Sequence, residues 1–348
     1  MANELVARAI TVFTGAVDGA EALKGELELA LDALARAREV LRELGVEVFS
    51  ERISMPGVRG SLAERALELA GERLLSVGYA SSLSDGEAAE LALLGAYVPL
   101  LHEGPPDAGE ALKYSRIFHA VASKDPAAAT RMAVGFHGRD FLTPYFPDSS
   151  SRGVREVAIS FIYPQLLYGR CGDLEAAFRE AFFAFERAAS AVEEATGLRV
   201  HIDYSLSPWM ERSVAALAEE CGWPLTRPGF VGFVWRLNEA IRGSLGPRAT
   251  GFSEVMLPYA EDGKLIEHGR RAEVKARDFL SYSAACVAGV DMVVVPEGVE
   301  ALAGLILDAM AIARAKGRPY AFRAIPVPGT PGDEVDLGKF GRVPIIPY

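Results

Sequence analysis

Residues 199–212, R-V-H-I-D-Y-S-L-S-P-W-M-E-R, contain the pattern from which the rest of the chain is interpreted. Val200, Ile202 and Tyr204 alternate with polar residues, as in a β-strand. Ser207-Pro208 then resembles a helix start, with an N-cap residue followed by a proline at the first helical position. The stretch therefore predicts a strand followed directly by a helix, with polar side chains where the strand ends.

The same alternation of apolar runs and amphipathic segments continues along the chain. Residues 20–44 place leucine and alanine at helical spacing, and residues 157–163 form a strongly apolar strand. Residues 135–153 lack periodicity and are rich in turn formers and aromatics, which predicts a functional or mobile loop. Strands alternating with helices predict an α/β fold. No repeat, linker or charge run divides residues 1–348, so we expect one domain.

Composition and net charge indicate a globular protein that does not bind nucleic acid. The chain has 348 residues, 50% of them hydrophobic and 24% charged, which are values typical of a globular protein. Its formal net charge of -11 argues against a nucleic-acid partner, because binding to phosphates needs a basic face.

Targeting and cysteine patterns point to the cytoplasm. The N-terminus has no basic region before an apolar run, and acidic residues interrupt the most apolar segment, residues 284–313. We therefore expect neither a signal peptide nor a membrane span. Cys171, Cys221 and Cys286 are far apart and form no C-x-x-C pair, so neither a disulfide framework nor a zinc knuckle is expected. Cys286 lies in an apolar predicted helix, so we expect a core cysteine and not a nucleophile.

Several blocks resemble one known family, in that family's order. They are I-D-Y-S-L-S-P-W-M-E-R-S at 202–213, T-P-Y-F-P at 143–147, G-F-S-E-V-M-L-P-Y-A-E-D at 251–262, Y-S-A-A-C-V-A-G-V-D-M-V-V-V-P at 282–296, and R-A-I-P-V-P-G-T-P-G-D-E-V at 323–335. Together they resemble the uncharacterised DUF711 (UPF0210) family over roughly the last 200 residues. Residues 48–56, V-F-S-E-R-I-S-M-P, resemble it more loosely.

The resemblance implies a single-domain α/β barrel, with helices outside, similar to that of pyruvate formate-lyase and other glycyl-radical enzymes. It does not imply their chemistry, since fold alone does not establish function. Those enzymes pair a C-terminal glycine loop with a cysteine inside the barrel. Here the chain ends K-F-G-R-V-P-I-I-P-Y, and no cysteine lies in a comparable loop.

Three residues are candidates for acid–base catalysis. Asp203, with Ser205 beside it, lies at a strand end where burial and nearby amides shift the pKa of a carboxylate. Glu254 follows Ser253 in a predicted strand, residues 253–257. His137 lies between glycines in G-F-H-G-R-D and is the strongest candidate among the five histidines. The alternatives are that Asp203 satisfies backbone amides and that His137 is a surface histidine.

Other residues are candidates for binding an anionic or polar substrate. Arg52 and Arg323 lie on predicted strands and could grip an anion with two hydrogen bonds, or equally pair with acidic side chains. Asp291 leads an apolar strand, so its charge must be paired if it is buried. Tyr145, between prolines, could belong to a lid or a subunit contact. The predicted binding residues are Arg52, Tyr145, Ser205, Ser253, Asp291 and Arg323.

A divalent metal is a further candidate ligand. Glu261 and Asp262, together with Glu254, supply the carboxylate oxygens that hard cations prefer. The alternative is that Glu261-Asp262-Gly263 is an ordinary solvated turn. No glycine-rich nucleotide-binding motif occurs in the chain.

These observations lead to a hypothesis and two alternatives. The leading hypothesis is an enzyme that acts on a small polar or anionic metabolite by carboxylate-based acid–base chemistry, without a radical and with or without a divalent metal. The second is a non-catalytic small-molecule sensor, and the third is an oligomeric scaffold without a pocket. We expect a small-molecule ligand, no nucleic-acid or membrane partner, and a homo-oligomer.

Overall fold

The computed structural model describes residues 5–79 and 84–348 as a mixed α/β protein. The described strands are β1 (Val6–Phe13), β2 (Glu47–Val48), β3 (Glu51–Ser54), β4 (Leu74–Ser76), β5 (Val98–Leu101), β6 (Met132–Phe136), β7 (Glu156–Ile162), β8 (Val200–Ser207), β9 (Val293–Pro296), β10 (Tyr320–Phe322), β11 (Ala324–Val327), β12 (Glu334–Asp336) and β13 (Arg342–Pro344). The described helices are α1 (Ala20–Glu43), α2 (Gly60–Ala70), α3 (Asp85–Leu94), α4 (Ala108–Ala122), α5 (Pro126–Ala129), α6 (Leu174–Thr196), α7 (Val214–Glu220), α8 (Phe230–Arg242), α9 (Gly263–Arg270), α10 (Ala276–Ser283) and α11 (Val299–Lys316).

Strand β1 lies in the middle of the largest sheet. It pairs in parallel with β2 and β3 on one side and antiparallel with β7 on the other. Strand β4 continues the sheet beyond β3, and β8 continues it beyond β7, both in parallel. All eight side chains of β1 are buried. The sheet therefore has covered faces on both sides, as expected for strands that carry few polar residues.

The remaining strands form smaller sheets. Strand β6 pairs in parallel with β5 and antiparallel with β10. Strands β9 and β11 form a parallel pair, and β12 and β13 form an antiparallel one.

Backbone hydrogen bonds also link the larger sheets to each other. Near β4 and β5, the Tyr97 amide donates to the Leu75 carbonyl at 2.8 Å. Near β8, the Met256 amide donates to the Leu206 carbonyl at 3.0 Å. Segment 254–257 is joined to segment 287–290 by the Leu257 amide, which donates to the Ala288 carbonyl at 3.0 Å.

Segment 287–290 in turn contacts β10. The Ala321 amide donates to the Val287 carbonyl at 3.2 Å, and the Arg323 amide donates to the Val290 carbonyl at 3.0 Å. Backbone hydrogen bonds thus connect β1, β3, β4, β5, β6, β10, the two segments, β8 and β7 in succession.

Helices α1 and α6 pack against each other and against the largest sheet. Residues three, four and seven apart in α1 form its buried face, which includes Leu23, Leu27 and Leu34. Helix α6 buries an aromatic face, and Phe185 stacks on Phe161 of β7 with ring centroids 4.0 Å apart. Such aromatic pairs add to the hydrophobic free energy of burial.

The strand predicted from Val200 to Ser205 is confirmed and extends to Ser207, but the helix after it begins later than predicted. Pro208 does not start a helix. Residues 209 and 212 form an isolated bridge, and α7 begins at Val214 with Ser213 as its N-cap. The Pro208 carbonyl instead accepts a hydrogen bond from Arg8 at 2.8 Å, so a tertiary contact replaces the predicted local start.

Two other predicted elements differ from the structure. Residues 253–257 do not form a regular strand, and only Val255 and Met256 form isolated bridges. The sequence predicts one helix over residues 272–288, but within that range the structure has only α10, Ala276–Ser283, and α9 ends before it. Ala272 has a φ of 55°, a left-handed conformation that a helix cannot continue through.

The irregular segment between β6 and β7 is held by serine hydroxyls. Ser149 donates to the Ser54 hydroxyl at 2.9 Å, and Ser151 donates to the Thr14 carbonyl at 2.5 Å. Ser76 donates to the Ser149 carbonyl at 2.6 Å. The segment is therefore joined to the ends of β1, β3 and β4, which places its side chains next to the interior of the protein.

None of the helices in residues 5–79 and 84–348 has both the length and the apolar character needed to cross a membrane.

The cysteines require a correction. Cys171 and Cys221, 50 positions apart, form a disulfide that joins the segment before α6 to the end of α7. Cys286 is a free, buried thiol, as predicted for a core cysteine. Spacing alone failed to predict the disulfide because the two residues meet only in the folded chain. The cysteine pattern consequently no longer supports a reducing compartment.

We expect the disulfide to contribute to stability. Closing a loop of this length in the unfolded chain is worth about 2–4 kcal/mol. A reductant should therefore lower the melting temperature of the wild type to that of a Cys171→Ser/Cys221→Ser double variant, and should leave the double variant unchanged. Differential scanning calorimetry with a thiol titration would measure this. Equal melting temperatures with and without reductant would contradict the prediction.

Candidate functional site

Three buried arginines surround one internal cavity of about 50 Å³. Arg8 comes from β1, Arg52 from β3, and Arg323 from the junction of β10 and β11. Each is at most 7% exposed. Buried guanidinium groups are rare unless they are paired, so their partners determine what the cavity can bind.

Two of the arginines belong to a chain of ion pairs. Arg8 contacts the Glu261 carboxylate, which also lies 3.2 Å from Arg323. Arg323 in turn holds Asp291 through two hydrogen bonds, of 2.6 and 3.1 Å. Burial acts to raise the pKa of Glu261, but the two arginines hold it below its usual value. Charges alternate along this network, so Arg8 and Arg323 are both compensated.

Arg52 differs because no carboxylate pairs with it among the described residues. Its guanidinium donates to the Ser50 hydroxyl at 3.0 Å and to the Pro144 carbonyl at 3.2 Å, and it lies over the Phe146 ring. Burial, together with the nearby charge of Arg8, lowers the pKa of Arg52 to about 10. The group therefore stays charged at neutral pH and carries an uncompensated positive charge beside the cavity.

Four buried polar atoms at the cavity have no hydrogen-bond partner within the described part of the chain. They are Arg8 Nε, the Tyr145 hydroxyl, Asp148 Oδ1 and Ser207 Oγ. All four residues are at least nine-tenths buried. Unsatisfied polar atoms are few in native proteins, and their concentration around one cavity indicates that they face a polar ligand or water.

Asp148 has the chemistry of a general acid or base. Burial raises its pKa to about 7, and the nearby Asp291 charge adds to the effect while Arg323 opposes it. A carboxyl group with a pKa near neutrality can both donate and accept a proton under physiological conditions. The Asp148 carbonyl accepts a hydrogen bond from Tyr79 at 2.6 Å, which fixes the backbone at this position.

An aromatic row borders the cavity on the side that reaches solvent. Phe49 is 37% exposed and meets Trp209 edge to face, with ring centroids 4.7 Å apart. Trp209 lies against Phe340, and the exposed Lys339 follows in the cavity wall. The cavity thus combines an apolar rim with a positive charge at its edge.

The structure brings together part of the predicted site. Arg52, Arg323, Asp291, Tyr145 and Glu261 all line the cavity. The interpretation of Tyr145 as part of a lid or a subunit contact is corrected, because it is 6% exposed and packs in the interior.

Asp203 lies outside this group and is surrounded by donors. It accepts hydrogen bonds from the Ser205 hydroxyl at 2.6 Å and from the Phe252 and Ser253 amides at 2.9 and 3.0 Å. A Cβ at Gly251, whose φ is 63°, would lie 2.0 Å from an Asp203 oxygen. This arrangement favours a structural role for Asp203, which holds segment 250–253 against β8. Ser205 and Ser253, which were predicted to bind substrate, donate hydrogen bonds to Asp203 in the same contact.

Glu254 and His137 lie elsewhere. The Glu254 carboxylate faces Arg242, Lys316 and Arg318 on another side of the protein. His137 lies in an open surface groove, where burial lowers its pKa to about 4. Its Nε2 atom is 3.2 Å from the Tyr79 hydroxyl. The three predicted catalytic residues therefore do not converge.

The two predicted metal ligands point in different directions. Glu261 faces the arginines in the cavity, whereas Asp262 is buried at the starts of two helices. Asp262 accepts from the Ser213 hydroxyl at 2.5 Å and from the amides of Val214 and Lys264 at 2.9 and 3.0 Å. Residues 5–79 and 84–348 contain no group of three or more His, Cys, Asp or Glu side chains that could hold a metal ion.

Sequence reasoning missed Arg8 and Asp148, and it interpreted Ser207 as a helix start at the end of the strand. Arg8 is the one charge in the apolar run V-A-R-A-I-T-V-F, and that pattern could have identified it, since a charge in a buried strand must be paired. Asp148 lies in the long loop that was predicted to be functional or mobile, but nothing in its local pattern distinguishes it from a solvated aspartate.

The role of Asp203 gives a stability prediction. We expect Asp203→Ala to lower the free energy of unfolding by roughly 3 kcal/mol or more, because several buried donors would lose their acceptor. Chemical denaturation would measure the change. Asp173→Ala, at an exposed position before α6, is the control. A loss of less than about 0.5 kcal/mol, the range typical of surface substitutions, would contradict the structural role.

Asp148 gives a pH prediction. Between pH 3.8, the ordinary pKa, and about 7, the folded state holds a proton that the unfolded state has lost. The free energy of unfolding should therefore fall as pH rises through this window and level off above it. We expect Asp148→Asn to remove this dependence and Asp173→Asn to retain it, in melting curves from pH 5 to 8. Parallel curves for the wild type and Asp148→Asn would show that Asp148 titrates normally.

Comparison with known proteins confirms the expected family. The model described as "Uncharacterised ACR (DUF711)" matches residues 117–338, more than half of the chain. The UPF0210 proteins of Methanopyrus kandleri and Corynebacterium glutamicum are 36% and 35% identical over 156 residues, covering 42% of this chain and 34% of each relative. The match thus spans about a third of these relatives' length. The chain belongs to the DUF711 family of uncharacterised proteins.

Proposed function

We propose that the protein is an enzyme that binds a small anionic metabolite in the arginine-lined cavity and transfers a proton to or from it. One observation carries the proposal. Four unsatisfied, buried polar atoms and one guanidinium without an acidic partner converge on the same cavity. A ligand with anionic and uncharged oxygen atoms would satisfy these groups together.

Arg52 is the proposed anchor for the anion. Arg8 forms an ion pair with Glu261, and Arg323 forms one with Asp291. Arg52, in contrast, donates hydrogen bonds only to uncharged oxygens among the described residues. An anion beside it would gain a charge-assisted hydrogen bond in a water-poor environment. Lys339 at the edge adds a positive potential that would draw anions toward the cavity.

Asp148 is the proposed general acid or base. It replaces Asp203, Glu254 and His137 in this role, because it lines the cavity with an unsatisfied oxygen and has a pKa of about 7. The chemistry remains the carboxylate-based proton transfer inferred from sequence, and it involves no radical. A divalent metal is not required for this step.

We also propose that the whole chain is one barrel domain. The support is the succession of backbone hydrogen bonds that connects β1 through β3, β4, β5, β6 and β10 to segments 287–290 and 254–257, and then through β8 and β7 back to β1. Strands β3, β4, β5 and β6 run in the direction of β1, while β7 and β10 are antiparallel to their neighbours β1 and β6. This closure would explain why arginines from distant strands face one interior.

The proposed role of Arg52 is tested by ligand binding. Short carboxylates such as acetate should raise the melting temperature of the wild type at constant ionic strength. We expect Arg52→Gln to weaken binding about 10- to 100-fold, because a charge-assisted hydrogen bond is worth about 1.5–3 kcal/mol. Arg36→Gln, on the exposed face of α1, is the matched control.

Undiminished carboxylate binding by a folded Arg52→Gln variant would rule out the anchor. Product analysis by NMR on any ligand that binds separates the enzyme from the sensor predicted as the alternative. A ligand that stabilises the protein and stays chemically unchanged, without exchange of its protons with solvent, would favour the sensor.

A further inference from the structure

Besides Arg52, the cavity lining includes the buried hydroxyls of Tyr145 and Ser207, and the buried Ser160 hydroxyl lies beside that of Tyr145. Burial raises the pKa of Tyr145, and Ser160 and Ser207 lie near enough to oppose that shift. Yet none of the three hydroxyls has a partner at hydrogen-bonding geometry. We define Tyr145, Ser160 and Ser207 as the hydroxyl cluster.

The backbone around the hydroxyl cluster is fixed. Tyr145 follows Pro144, whose carbonyl accepts hydrogen bonds from Thr11 at 3.0 Å and Arg52 at 3.2 Å. Ser160 lies in β7, and Ser207 is the last residue of β8. The Tyr145 ring also lies under the Arg8 guanidinium, 5.8 Å from its centroid. The unsatisfied hydroxyls therefore cannot find partners by a simple movement of a loose segment.

The hydroxyl cluster and Arg52 differ in what they recognise. A guanidinium only donates, so Arg52 selects an anionic acceptor. A hydroxyl both donates and accepts, so the cluster suits an uncharged oxygen, either a hydroxyl or a carbonyl. The Asp203 carboxyl lies close enough to Tyr145 to affect its ionisation, and its negative potential would oppose a second anionic group on this side.

Size sets a further limit. One water needs roughly 10–15 Å³ of such space, so a cavity of about 50 Å³ holds a few groups of that size. The ligand that fits is a short chain with a carboxylate at one end.

We infer that the site selects short monocarboxylic acids that carry an additional hydroxyl or carbonyl oxygen, with the carboxylate on Arg52 and the uncharged oxygen on the hydroxyl cluster. This inference rests on the proposed function, because it assumes that Arg52 binds the anion. It adds the chemical class of the ligand and assigns a specificity role to Tyr145 and Ser207.

The test compares acids that differ only in the added oxygen. Isothermal titration of the full chain with acetate against glycolate, and with propionate against lactate, should show about 10-fold tighter binding of each hydroxy acid, as expected for one hydrogen bond to a buried group. Tyr145→Phe should abolish this preference, so that each hydroxy acid binds no more tightly than its unsubstituted partner. Ser207→Ala should reduce the preference and provides a second, smaller change if Tyr145→Phe does not fold.

Controls separate this inference from the proposed function. Tyr348→Phe, whose hydroxyl donates to the Pro296 carbonyl at 2.9 Å, should keep the preference. Equal binding of paired acids by the wild type, with affinity still dependent on Arg52, would overturn the inference and leave the anion site standing. A preference that survives in folded Tyr145→Phe and Ser207→Ala would also overturn it. Failure of all four acids to bind would overturn both.

Discussion

The ion pairs among Arg8, Glu261, Arg323 and Asp291 are the constraint on which the interior depends. Removing a guanidinium or carboxylate from water costs several kcal/mol unless an opposite charge and hydrogen bonds replace the solvent. Here each inner charge has an opposite charge on both sides, and all four residues line one cavity. The network fixes β1, the turn at Tyr259–Glu261 and the β10–β11 junction relative to each other. Because these four charges neutralise one another, none of the acidic residues in the network is available to pair with Arg52.

The acidic residues differ in what their carboxylate oxygens contact. Asp203 and Asp262 accept several backbone and hydroxyl hydrogen bonds and hold segments of chain together. Glu254 is enclosed by basic side chains. Asp148 alone among these acids combines an unsatisfied oxygen with a position at the cavity. A carboxylate that holds segments of chain together uses its lone pairs for hydrogen bonds to them. A carboxylate that transfers a proton must keep a lone pair directed toward the ligand.

Sequence patterns predicted the α/β class, β8 and the buried character of Cys286, because these follow from local periodicity and apolar content. They also selected Arg52 and Arg323 as residues that bind an anion or pair with acidic side chains, and Asp291 as a charge that must be paired if it is buried. The arrangement of the site could not be predicted from local sequence patterns. Arg8 and Glu261 are separated by 253 positions, and only the fold decides that they meet. For Asp203 the sequence left a catalytic and a structural role open for a related reason, since the amides that contact its carboxylate come from residues 252 and 253. Strand-end acids are ambiguous until the segment opposite them is known.

The pairing of the first strand with late segments of the chain bears on biosynthesis. Arg8 is synthesised 253 positions before Glu261 and still longer before Asp291 and Arg323. A nascent chain that lacks them would have to enclose a cation without its counter-ion, which strongly disfavours early compaction of that interior. We therefore expect β1 to complete its packing in this interior only after the segments that carry Glu261, Asp291 and Arg323 have been synthesised.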